Sequence, residues 1–187
     1  ITLIGDSGIS IAGDITSNKD GAAGAIALTG PVTLTGNVIV TADDHADSTI
    51  TFNSTSTVNA SSSGGQSLTL DTEDGAIAMQ GAIGGTSTGA LSALTVNADG
   101  AGTIEIANIG ASTVGVTGAT AIGNTNTGTI TLDGTVYKTT GSQTYEAAAG
   151  QNIDITNTSG ITFTTTDTAV AFNTSGVDLA NNGTTTI

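Results

Sequence analysis

The chain has 187 residues and a formal net charge of −14, which reflects the presence of only two lysines and no arginine, since charged residues make up 10 % of the whole. With so few cations it cannot neutralise a run of phosphates, which excludes nucleic acid and anionic membrane surfaces as partners. Leu, Ile, Val and Phe number only 41, whereas Thr supplies 38 residues and Gly 27, a balance suited to a narrow interior walled by β-strands with tight corners rather than to a broad globular core.

In chain order, an Ile-x-apolar triplet recurs at Ile1-Thr2-Leu3, Ile26-Ala27-Leu28, Ile50-Thr51-Phe52, Ile77-Ala78-Met79, Ile104-Glu105-Ile106, Ile130-Thr131-Leu132 and Ile161-Thr162-Phe163. The interval from Ile130 to Ile161 is the longest of the set, and Ile187 stands where an eighth triplet would open. A near-constant period of roughly two dozen residues, with no helical pattern inside it, marks a chain that stacks copies of one small unit.

Each period carries two further apolar pulses. The second comprises Ile9-Ser10-Ile11, Val32-Thr33-Leu34, Val58, Ile83, Val114-Gly115-Val116, Val136 and Val170-Ala171-Phe172. The third comprises Ile15, Val38 to Val40, Leu68-Thr69-Leu70, Leu94-Thr95-Val96, Ile122, Ile153-Asp154-Ile155 and Val177-Asp178-Leu179. Spacing of two within a pulse puts both apolar side chains on one face of a strand and the intervening Thr or Ser on the other. Gly5, Gly13, Gly30, Gly36, Gly81, Gly118, Gly134, Gly141 and Gly176 after first or second strands, and Asp71, Asn97, Asn124, Asn157 and Asn181 after third strands, read as left-handed corners.

The expected fold is therefore all-β: a right-handed parallel β-helix (β-solenoid) of about seven coils with three short strands each, occupying residues 1–187 as a single segment. Right-handed winding follows from the usual hand of parallel crossovers. The seven opening isoleucines, Ile1, Ile26, Ile50, Ile77, Ile104, Ile130 and Ile161, are expected to form one inward ladder, with Asn and Thr hydrogen-bonded along the axis at the corners. Ser54 to Gln66 reads as a protruding or loosely ordered loop, and Gly141 to Gly150 as a lateral bulge on the longest coil.

Few residues invite chemistry. The single histidine lies in Asp43-Asp44-His45-Ala46-Asp47, and a second acidic group is Asp71, Glu73 and Asp74. Without a second His or any Cys, zinc is not expected. Calcium on these clustered carboxylates is the remaining candidate cofactor, and solvated turns are the reading that fits better. No pair of carboxylates and no Ser-His-Asp set is arranged for catalysis, so no catalytic residue is assigned. Tyr137, Gln143 and Tyr145 mark the bulge as a contact loop, the tyrosines either stacking on a sugar or packing across the neck of their own loop. The Thr runs lack the regular Thr-x-Thr of an ice-binding face and read as solubilising surface.

Gly128-Thr129-Ile130-Thr131-Leu132-Asp133-Gly134, Thr139-Thr140-Gly141-Ser142-Gln143-Thr144-Tyr145 and Ile153-Asp154-Ile155-Thr156-Asn157 together resemble a repeat of the large filamentous-haemagglutinin-type exoproteins. Leu91-Ser92-Ala93-Leu94-Thr95-Val96 is similar in style, and autotransporter passengers look alike at this level. The resemblance implies a β-helix shaft exported to the bacterial surface, with adhesive or fibre-forming duty and no catalytic residue. The expectation is a structural shaft, part of a longer exported chain, whose partners are neighbouring coils or identical subunits end to end, and beyond these a surface glycan or matrix. The alternatives are a glycan- or host-protein-binding module acting through the bulge, and a polysaccharide-degrading β-helix enzyme.

Overall fold

A computed structural model describes residues 1–17, 24–42, 47–166, 168–174, 176–178 and 185–186. Every strand pairing among them is parallel, and the strands stack in three columns, so the chain is a parallel β-solenoid with three strands per coil. Among the described residues the first sheet holds eight strands: Thr2–Ile4, Ile26–Thr29, Ile50–Phe52, Ile77–Met79, Ile104–Ile106, Ile130–Leu132, Asn152–Ile155 and Gly176–Asp178. The third sheet holds seven: Ile15–Ser17, Val38–Ala42, Leu68–Thr72, Leu94–Ala98, Thr120–Gly123, Gln143–Glu146 and Val170–Asn173.

The second sheet is thinner. It runs through Ile9–Ile11, Val32–Leu34 and Val58–Ala60, continues as single bridges at Ile83 and Ile109, and resumes in Val136–Lys138, Ile161–Thr164 and Thr185–Thr186. Val116, expected in this column, instead bridges Leu91 and Thr139 at the corner between second and third sheets, and Ile109 takes its place.

Alternation within each strand builds the core. In the first sheet Ile26, Ile50, Ile77, Ile104, Ile130 and Ile153 stack in register, and Leu28, Phe52, Met79, Ile106, Leu132 and Ile155 form a second inward rank, all essentially buried. Each rung's apolar residues lie directly on those of the next, so one continuous apolar column fills the interior, and burial of this kind is the dominant favourable term in folding. Ile1, with one neighbouring rung, is 49 % exposed.

The ladder departs from expectation at its seventh member. Ile153, not Ile161, stacks on Ile130, while Ile161 lies buried in the second sheet. Val136–Lys138 keeps its place in the second sheet, and beyond it each expected strand is displaced by one column: Ile153-Asp154-Ile155 and Val177 belong to the first sheet and Val170 to the third. The cause is the strand Gln143–Glu146, which pairs with Thr120–Gly123 and with Val170–Asn173 and supplies the third side of the sixth coil. Gly141 to Gly150 is therefore part of the shaft and not a bulge. Its polar first residue hid a regular alternation, Gln143 and Tyr145 inward, Thr144 and Glu146 outward.

Ser54 to Gln66 is also integrated. Val58 and Ala60 face the core, Ser61 N–H donates to Leu34 O at 2.8 Å, and Gly64 N–H donates to Ala90 O at 2.7 Å, tying the turn to the coils on either side. Corners rely less on left-handed Asn and Asp than expected: among described non-glycine residues only Ala101 has such a φ, 74°. Asn side chains work as axial brackets instead. Asn124 Nδ2 donates to Asp99 Oδ1 at 2.7 Å, Asn157 Nδ2 to Asp133 O at 2.8 Å, and Asn108 Oδ1 accepts from Thr135 N–H at 2.7 Å, each reaching an adjacent coil. Gly118 and Gly141 stack so closely that a Cβ on Gly141 would run into the Gly118 carbonyl.

Candidate functional site

The outer surface is set by the residues that alternate with the core. On the third sheet one outward rank reads Ile39, Thr69, Thr95, Ala121, Thr144 and Ala171, and the next reads Thr16, Thr41, Asp71, Asn97, Gly123, Glu146 and Asn173. This is a flat face of small, largely uncharged groups with rungs about 4.8 Å apart. On the first sheet the outward rank gains acids in the later coils, with Glu105 and Asp154 on either side of Thr131. The Lys138 ammonium is held against the rod, donating to Ser112 O at 2.9 Å.

Of the described carboxylates considered for calcium, Asp47, Glu73 and Asp74 lie between third-sheet and first-sheet strands. Asp43 and Asp44, with His45, lie outside the described residues. Asp47 is exposed in a turn, Glu73 and Asp74 are exposed in a bend, and Asp71 stands half-buried on the outward face of its strand. Burial, with Asp99 close by as a like charge, raises the Asp71 pKa above the usual carboxylate value. Among the described residues no three His, Cys, Asp or Glu side chains converge to hold a metal ion.

The expected contact loop is instead a buried polar node of the rod. Tyr137, Gln143 and Tyr145 are each 0 % exposed, so none can meet a ligand at the surface. Tyr145 OH donates to Gln143 Oε1 at 2.9 Å. Gln143 Nε2 donates to Tyr137 O at 2.9 Å, Thr139 Oγ1 at 3.2 Å and, in the following coil, Thr164 O at 3.0 Å. Tyr137 OH donates to Ile106 O at 2.8 Å and accepts from Gly134 N–H at 3.1 Å. Desolvation pushes both phenol pKa values well above that of free tyrosine.

Four aromatic rings complete the node. Tyr137 stacks on Phe163 at 5.1 Å in the second sheet and Tyr145 on Phe172 at 5.2 Å in the third, while Tyr137 meets Tyr145, and Phe163 meets Phe172, edge to face. Both geometries are the favourable ones for quadrupolar rings. In the sequence these residues read as one loop, because the amide of Gln143 breaks the apolar spacing of two that ends at Tyr145. The signal available to find them was the interval from Ile130 to Ile153, which is close to the length of the other coils.

Fold and core together define the class: a parallel β-solenoid with three strands per coil around an apolar core. Comparison with protein-family models, with curated proteins and with solved structures found no match for this chain.

Proposed function

We propose that this β-solenoid is shaft: a non-catalytic segment of a bacterial surface fibre or adhesin whose task is stiffness and reach. The observation that carries this reading is the unbroken axial stacking of parallel strands, from Thr2–Ile4 to Gly176–Asp178 in the first sheet, over one continuous core. Backbone hydrogen bonds directed along the axis resist both stretching and bending, and every coil adds length with only a short run of small residues. Thr, Ser and Asn on the outer faces keep such a rod hydrated. Outward carboxylates and a net charge of −14 oppose lateral clumping of shafts.

Among the described residues Thr2–Ile4, Ile9–Ile11 and Ile15–Ser17 each pair on one side only. A parallel edge of that kind accepts further coils of the same polypeptide or the end of an identical subunit. A ligand-binding role through Tyr137 and Tyr145 has no support, because both rings are enclosed.

Immunogold labelling of thin sections of producing cells with antibody to the folded 187-residue segment tests the proposal. The expected result is label outside the cell, displaced from the membrane along fibres. Label confined to the cell interior overturns it.

A further inference from the structure

Two triplets compete for the place above Ile130 in the first sheet. Ile153-Asp154-Ile155 and Ile161-Thr162-Phe163 have the same Ile-x-apolar form, and each presents two large apolar side chains to one face. Hydrophobic pattern alone therefore leaves two registers open, one closing the sixth coil at Ile153 and the other only at Ile161.

We propose that the buried amide of Gln143 is a register lock that selects Ile153 over Ile161. Its position on the inward rank of the third sheet, Val38, Leu68, Leu94, Thr120, Gln143 and Val170, is apolar in four of the six rungs. Gln143 reaches the carbonyl of Thr164, the last residue of the strand Ile161–Thr164, and so bonds the competing triplet into the second sheet. The same amide takes the Tyr145 hydroxyl and the Tyr137 carbonyl, which fixes Gln143–Glu146 as the third side of its own coil. A slip that carried Ile161 to the first sheet would withdraw Thr164 O and turn Gln143–Glu146 away from Thr120–Gly123. The amide and the Tyr145 hydroxyl would then lose their buried partners. Buried polar groups act in this way, excluding alternatives that an apolar core tolerates.

The chain has no cysteine, so engineered pairs report register directly. Adjacent parallel rungs bring Cα atoms within disulfide range. Thr131→Cys with Asp154→Cys reports the observed register, and Thr131→Cys with Thr162→Cys reports the slipped one. In the native background the first pair is expected to oxidise fully and the second at background level. Gln143→Leu, which keeps the size and removes the amide, should raise crosslinking of the second pair at least ten-fold and lower the first. Leu132→Ala, which weakens the same coil without touching the amide, should leave both unchanged. The proposal is overturned if Gln143→Leu keeps the native pattern, if Leu132→Ala shifts it equally, or if Gln143→Leu abolishes strand circular dichroism and crosslinks both pairs alike.

Discussion

Ile130 lies directly beneath Ile153 in the first sheet, and through that pairing the sixth coil closes, with Asp154 brought over Thr131 and Ile155 over Leu132. The coil needs no excess length because Gln143 to Glu146 forms its third side. Removing residues 141–150 should therefore cost the fold several kcal/mol through loss of a buried strand, and lower the thermal midpoint by roughly 10 °C or more. Circular-dichroism melts check this, and an unchanged midpoint would return the segment to the status of a surface loop.

The opening ladder predicts intolerance to charge. Ile104 is 1 % exposed, between Ile77 and Ile130. Ile104→Asp should lose about 4 kcal/mol or more by burying an unpaired carboxylate, whereas Ile104→Val should lose only about 1 kcal/mol. Urea titrations that place the two variants together would refute the inward ladder.

Glycines divide by what surrounds them. A Cβ at Gly13 would meet nothing within 4 Å, so Gly13→Ala should be neutral or stabilising by up to about 1 kcal/mol through the unfolded chain. Gly141→Ala drives a methyl group into the Gly118 backbone and should destabilise by about 1–3 kcal/mol. Equal melting temperatures for the two variants would contradict the close corner stack.

Alkaline unfolding should follow the tyrosines. Tyr137 and Tyr145 have folded pKa values raised by burial, so the neutral phenols favour the fold at every pH below the unfolded value of about 10, and that contribution is lost as pH rises beyond it. Ultraviolet absorbance of phenolate is expected to appear together with loss of strand circular dichroism. A phenolate step that precedes unfolding would mean that the rings reach solvent.

Asp71 gives the opposite end of the pH scale. Burial and the neighbouring Asp99 raise its folded pKa, so its protonation as pH falls through that value strengthens the fold relative to neutral pH. Asp71→Asn should consequently raise the thermal midpoint at pH 7 and lose its advantage by pH 3. A variant less stable than wild type at pH 7 would show that the carboxylate is a net favourable group.

Much of the architecture is legible in the chain before any folding is considered. A short period of two within pulses and a long, nearly constant one between them are local properties. Each copy of Ile26-Ala27-Leu28 or Ile50-Thr51-Phe52 repeats the same backbone preference, so strand, parallel stacking and inward ladder all follow from pattern. The absence of Cys and near absence of Lys and Arg likewise bound the chemistry without reference to coordinates. Tertiary structure decided what pattern leaves degenerate. Whether Ile153 or Ile161 continues the ladder depends on partners distant in sequence, above all the Thr164 carbonyl that Gln143 reaches in the next coil, and on whether an amide can be satisfied inside the core. The roles of Tyr137 and Tyr145 turned on the same point: the sequence leaves both stacking on a sugar and packing within the loop open, and Ile106 O and Gln143 Oε1 supply the buried acceptors that make enclosure favourable. Apolar periodicity is additive along the chain and so can be read locally, whereas hydrogen-bond satisfaction belongs to pairs and exists only once the coils are stacked.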